Sequence, residues 1–72
     1  MPVHRYRIVL SGHLGEIFCQ AFEGMAIESV DGRTVLIGDL DQRALYTTLS
    51  RVHALGLELV EAVRVPPARE ND

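Results

Sequence analysis

The chain has 72 residues, a formal net charge of −3, and a composition that is 47% hydrophobic and 24% charged. It has room for one globular domain with a thin core, and its acidity argues against a domain that holds nucleic acid by the phosphate backbone. Cys19 is the only cysteine, so an intrachain disulfide is excluded and we expect a cytoplasmic protein. No apolar run approaches the ~20 residues of a membrane span, so no membrane association is predicted.

The first elements are a strand and a helix. Alternating apolar residues predict a strand over 6–10, and Ser11-Gly12 ends it. A helix is predicted over 14–23, and Gly24 is a plausible C-terminal stop for it. The residues that recur there at helical spacings are Leu14, Ile17, Phe18, Ala21 and Phe22.

The next two strands form the clearest local pattern. Two β-rich runs, 26–30 and 33–37, flank the pair Asp31-Gly32. Asp-Gly is a preferred pair for a two-residue hairpin turn, because both central residues need positive φ. The sequence therefore predicts a β-hairpin at this point.

The second helix is marked at both ends. Asp39 or Asp41 can serve as its N-cap, and Asp39 with Gln42 makes a capping-box pattern. Gly56 ends the helix as a left-handed cap. A last strand is predicted over 58–65, where two prolines stop it. The apolar stripe of the helix consists of Leu45, Thr48, Leu49, Val52 and Leu55.

The order strand, helix, strand, strand, helix, strand is that of the split βαβ arrangement. We therefore expect an α+β fold, a ferredoxin-like βαββαβ sandwich over residues 1–67. Right-handed crossovers would place both helices on one face of a four-stranded antiparallel sheet. A disordered tail is predicted over 68–72.

The sheet face without helices is predicted to be a dimer interface. It is expected to be a mixed surface with an apolar centre, carrying Arg5, Arg7, Val9, Thr34, Leu36, Glu61 and Val63. Such a face is too apolar to lie bare, and a second copy would bury it with Arg–Glu pairs at the rim. The interface residues predicted for this homodimer are Arg5, Arg7, Val9, Leu36 and Val63. The alternative is a half-polar face left in water.

The order of elements and several segments resemble an ACT-type regulatory domain. The matching stretches are GHLGEI at 12–17, GMAIESV at 24–30 and LGLELV at 55–60. The similarity spans about residues 5–65, although Leu10 and Ser11 stand where such domains usually have Asp and Pro. The resemblance implies a non-catalytic module that dimerises and binds a small ligand, often an amino acid.

The resemblance also implies where that ligand would bind. The segment is the first strand–helix loop, which consists of Ser11, Gly12, His13, Leu14 and Gly15. Such a loop suits a ligand physically, because glycines let it approach the backbone and N–H groups at a helix start favour a carboxylate. A plain turn that needs glycine for its shape is the alternative.

No residue pattern points to catalysis, a metal or a cofactor. His4, His13 and His53 lack the spacing of metal ligands, and Cys19 beside Phe18 is typical of a small core residue. No catalytic residue, metal or cofactor is therefore predicted. Two other functions stay open beside a regulatory homodimer: a protein-interaction partner that uses the bare sheet face, and a small dimeric ferredoxin-like enzyme.

Overall fold

A computed structural model describes residues 2–67, and the predicted tail over 68–72 lies outside them. The elements in chain order are β1 (His4–Ser11), α1 (Glu16–Cys19), a 3₁₀ turn (Gln20–Phe22), β2 (Ala26–Val30), β3 (Arg33–Leu40), α2 (Gln42–Ala54) and β4 (Leu59–Val65). The strands form one antiparallel sheet in the order β2-β3-β1-β4. The chain is thus a small α+β domain with a four-stranded antiparallel sheet and two helices, as predicted at that level. Within the described part, no helix is both long and apolar enough to cross a membrane.

The hairpin between β2 and β3 is confirmed in detail. Asp31 has φ 49° and Gly32 has φ 75°, so both central residues occupy the left-handed region that a type I′ turn requires. Val30 pairs with Arg33 across this turn. The turn therefore fixes the register of the two strands, because a two-residue loop allows only one pairing of the residues that flank it.

Helix α2 begins at the second of the two candidate caps. The Asp41 carboxylate accepts a hydrogen bond of 2.7 Å from the backbone N–H of Ala44, which satisfies one of the free donors of the first turn. The capping box built on Asp39 is wrong, because Asp39 belongs to β3 and pairs with Arg5 instead.

The C-terminal cap of α2 is confirmed. Gly56 has φ 72°, and its N–H donates to the carbonyl of His53 at 3.0 Å. The N–H of Leu57 donates to the carbonyl of Val52, also at 3.0 Å. These two bonds make a Schellman motif, which turns the chain back toward β4.

The first helix is shorter than predicted. The segment 14–23 contains four residues of α-helix, followed by the 3₁₀ turn Gln20–Phe22. Gly15 stands at the N-cap without a side-chain hydrogen bond, so the first turn lacks the side-chain cap that stabilises the start of a helix. A 3₁₀ turn advances more degrees per residue than an α-helix, so Phe22 enters the core while Ile17 stays 80% exposed. The predicted stripe therefore does not lie on one buried face.

The core lies between the helices and one face of the sheet. Its buried members are Ile8, Leu10, Phe22, Leu36 and Val52. The leucines at 45, 49, 55 and 57 pack against this cluster and are half-buried. Both helical segments thus contribute to one shared core, Phe22 from the 3₁₀ turn and Val52 from α2.

The predicted facing of β3 is wrong. Thr34 and Leu36 were expected on the bare face and Leu36 in the dimer interface, but Leu36 pairs with Ile8 and Thr34 with Leu10, on the helix-covered face. Leu36 is fully buried in the core. The physical reason is that β3 is an interior strand with apolar residues at both parities, so alternation alone does not choose its core face.

We call the sheet face turned away from the helices the open face. The strand register places there Arg5, Arg7, Val9, Glu28, Val30, Arg33, Val35, Ile37, Asp39, Glu61 and Val63. The predictions for Arg5, Arg7, Val9, Glu61 and Val63 are confirmed as to the face on which these residues lie. Val35, not Leu36, lies on the open face.

Candidate functional site

The centre of the open face is a pair of valines on the two interior strands. Val9 and Val35 face each other across β1 and β3 and are only 5% and 3% exposed. Glu28 is the neighbour of Val35 on β2, and Glu61 is the neighbour of Val9 on β4. One row across the sheet therefore reads acidic, apolar, apolar, acidic. We call Val9 and Val35 the central valine pair.

Further apolar side chains around this pair remain in contact with solvent. Val30, Val60 and Val63 are 44%, 43% and 40% exposed. Val30 and Val60 line a shallow groove of about 290 Å³ whose floor is the central valine pair. The open face thus combines an apolar centre that its own neighbours shield from solvent with exposed valines around it.

Two ion pairs cross the open face. Arg5 Nε lies 3.1 Å from Asp39 Oδ1, and Arg7 Nη1 lies 3.2 Å from Glu61 Oε1. The Asp39 carboxylate raises the pKa of Arg5, first through its hydrogen bond and then through its charge. All four side chains are more than two-fifths exposed, so these pairs contribute little to folding and remain available to a partner.

The predicted ligand loop, Ser11–Gly15, is held by a buried threonine. The Thr34 hydroxyl donates to the carbonyl of Gly12 at 2.9 Å and accepts from the backbone N–H of Leu14 at 3.2 Å. Thr34 is 1% exposed, so one side chain from β3 satisfies two polar groups of the loop in a water-poor environment. The loop is therefore fixed in shape, and the N–H of Leu14 is already occupied.

A second tether joins the loop to β2. His13 Nδ1 and Ser29 Oγ are 3.1 Å apart and share a hydrogen bond on the exposed surface. A serine beside an imidazole can be activated as a nucleophile when a third group orients the base. No acidic side chain in residues 2–67 hydrogen-bonds to His13, so we interpret the contact as a tether of the loop.

The structure brings together residues that were not predicted to meet. Ser29 and Thr34 support the predicted loop, and Glu28, Arg33 and Val35 join the open face. The hairpin register could have placed Glu28 beside Val35, because the Asp-Gly turn fixes which residues of β2 and β3 are opposite. The His13–Ser29 contact left no sequence signal, since the two residues meet only through the folded sheet.

The described residues offer no evident metal centre. Across positions 2–67, no group of three His, Cys, Asp or Glu side chains is arranged to hold a metal ion. Cys19 is a free, half-buried thiol on α1. The candidate features in this part of the chain are the open face and the tethered loop.

Comparisons with known proteins match most of the chain to one family. Residues 5–63 match the family model described as a domain of unknown function, DUF8691. No curated protein and no solved structure matches the chain.

Proposed function

The chain belongs to the DUF8691 family, and we propose that it is a non-catalytic binding module that acts as a homodimer through its open face. A small ligand would bind at the loop Ser11–Gly15. The fold would be of ferredoxin-like type, which the element order and the strand order β2-β3-β1-β4 support. Its biological role would be regulatory, exerted on a separate partner.

The main support for the proposed homodimer is the apolar centre of the open face. The central valine pair is almost fully buried while three further valines on the same side of the molecule remain exposed. Acidic and basic side chains alternate around them. A surface that carries both signs of charge around an apolar centre can be complementary to itself, which is what an isologous two-fold interface requires.

The size of the open face limits the area that a dimer can bury. Four strands about 4.8 Å apart and seven residues long, at about 3.4 Å per residue, cover about 450 Å² before side chains add relief. A standard interface takes about 800 Å² from each partner. The open face thus lies at the small end of specific interfaces, and we expect a dimer that dissociates on dilution.

Val63→Lys tests this interface with a matched control. The substitution places a charge among the exposed valines of β4, where burial in a dimer would be costly, and we expect the dimer population to fall. Ile17→Lys changes a more exposed apolar residue on α1, away from the open face, and should leave the dimer unchanged. Size-exclusion chromatography with light scattering at one concentration gives both results. Equal effects of the two variants would contradict the proposal.

The ligand part of the proposal is supported by the tethered loop. Thr34 and Ser29 hold the loop in one conformation. Binding of a ligand there would therefore cost less free energy, because the loop is already ordered. We expect at least one free amino acid to raise the melting temperature in a thermal-shift screen, and His13→Ala to abolish that rise. His53→Ala, an exposed histidine on α2, is the control. A screen without any shift contradicts the ligand part and leaves the dimer part standing.

A further inference from the structure

Four charged side chains surround the central valine pair in two opposite sets. Glu28 and Glu61 lie at the two ends of the row that crosses the sheet. Arg33 lies two residues along β3 from the central pair, and Arg7 lies two residues along β1. Since β1 and β3 are antiparallel, the two arginines are on opposite sides of the centre. The charges therefore form a cross, acidic along the row and basic along the strands.

The two arms of this cross have nearly the same length. Glu28 and Glu61 are separated by three strand spacings, or about 14 Å. Arg33 and Arg7 are separated by one strand spacing and by four residues along the strands, which also gives about 14 Å. The two arms meet at about 70° on the same geometry. A two-fold axis that lies in the plane of the sheet and bisects the two arms places the arginines of one copy on the glutamates of the other.

We propose that two copies of the chain pair open face to open face with their strands crossing steeply, so that each arginine of the cross meets a glutamate of the other copy. This inference rests on the proposed homodimer and adds its geometry. A crossing of about 70° belongs to the orthogonal class of sheet packing rather than to the aligned class near 30°. The grooves above the central valine pairs of the two copies lie at the axis.

Aligned packing of the same faces is disfavoured by charge. A two-fold axis along the strands places Glu28 against Glu61 of the second copy, and an axis across the strands places each glutamate against its own counterpart. Like charges in contact across an interface are costly. The existing Arg7–Glu61 pair does not oppose the steep arrangement, since both side chains are exposed and exchange partners at little cost.

Cross-linking distinguishes the two packings. Single-cysteine variants are made in a Cys19→Ser background, mixed in pairs and oxidised. The steep packing predicts a disulfide when Arg33→Cys is mixed with Glu28→Cys or with Glu61→Cys, since Arg33 meets one or the other in the two possible two-fold arrangements. Aligned packing predicts instead a disulfide between Glu28→Cys and Glu61→Cys, or between two copies of Glu28→Cys.

Charge exchange provides a second readout that does not depend on a cysteine. Arg7→Glu with Arg33→Glu gives an acidic cross, and Glu28→Arg with Glu61→Arg gives a basic one. Each variant alone should dimerise at least about tenfold more weakly than the parent, and an equimolar mixture should form the heterodimer. Circular dichroism of each variant checks that it is folded.

The outcomes separate this inference from the proposed function. Cross-links to Arg33→Cys together with heterodimer formation support the steep packing. A dimer that cross-links between Glu28→Cys and Glu61→Cys or between two copies of Glu28→Cys, or that is unaffected by the charge exchange, overturns the packing and leaves the homodimer standing. A parent chain that stays monomeric at every concentration overturns both.

Discussion

Replacing Thr34 by valine removes the hydroxyl that holds the predicted ligand loop while keeping the shape of the side chain. That hydroxyl makes two hydrogen bonds, one to the carbonyl of Gly12 and one from the N–H of Leu14. A buried polar group left without a partner costs about 1–3 kcal/mol. Gly12 is exposed and its carbonyl can turn to water, whereas Leu14 is half-buried, so its N–H bears most of the cost.

We therefore expect Thr34→Val to lower the free energy of unfolding by about 1–2 kcal/mol. In a domain of this size that corresponds to a fall in Tm of about 5–15 °C. Urea denaturation monitored by circular dichroism gives the stability change, and an unchanged m-value shows that the folded state keeps its compactness.

Hydrogen exchange identifies the cause of that loss. In Thr34→Val the amide of Leu14 should exchange faster than in the parent, because its acceptor is gone. Thr34→Ser is the control, since it keeps the hydroxyl and loses only a methyl group, and its Leu14 amide should stay protected. A valine variant with parental stability and a protected Leu14 amide would refute the tether.

Three further substitutions test the fold that carries the open face. Leu36→Ala should cost about 2–5 kcal/mol in urea denaturation, whereas Val63→Ala should cost far less in the dilute monomer; equal costs would contradict the corrected facing of β3. Asp41→Ala removes the N-cap of α2 and should lower the free energy of unfolding by about 1 kcal/mol. An unchanged Tm would show that the cap does not stabilise the fold. Gly56→Ala should lose about 1–2 kcal/mol at a positive φ. Gly15→Ala, at φ −69°, should lose less, because the smaller entropy of the unfolded chain offsets the poorer N-cap; the reverse order would contradict the backbone conformations at these two positions.

The parts of the fold that depend only on local backbone conformation could be predicted from the sequence. The Asp31-Gly32 turn and the Gly56 cap depend on backbone conformations that few residues accept, so they can be recognised in the sequence. The sequence offered two candidates for the N-cap of α2, because aspartates stand at both 39 and 41. The structure chose Asp41, since strand pairing with β1 extends through Asp39.

The facing of β3 and the length of α1 depend on tertiary packing and were predicted wrongly. Thr34 and Leu36 alternate with Val35 and Ile37, and both sets are compatible with a core. Pairing of Leu36 with Ile8 decides between them, and that pairing forms only when β1 and β3 meet in the folded sheet. The first helical segment likewise changes from α-helix to a 3₁₀ turn where Phe22 packs into the core.

The candidate site was predicted in outline. Arg5, Arg7, Val9 and Val63 lie on the open face as expected. The alternation of β1 assigns the first three of them. The cross of two glutamates and two arginines was not predicted, because recognising it requires the register of all four strands. Its members Glu28 and Arg33 lie on the two strands of the hairpin, and the facing of β3 was predicted wrongly.

The central claim is that the open face is covered by a second copy of the chain. Sedimentation equilibrium of the unmodified chain over a wide concentration range measures this most directly. We predict a mass that rises with concentration from that of one chain to that of two and stops there, as a closed two-fold interface requires. A mass of one chain at every concentration would contradict the account.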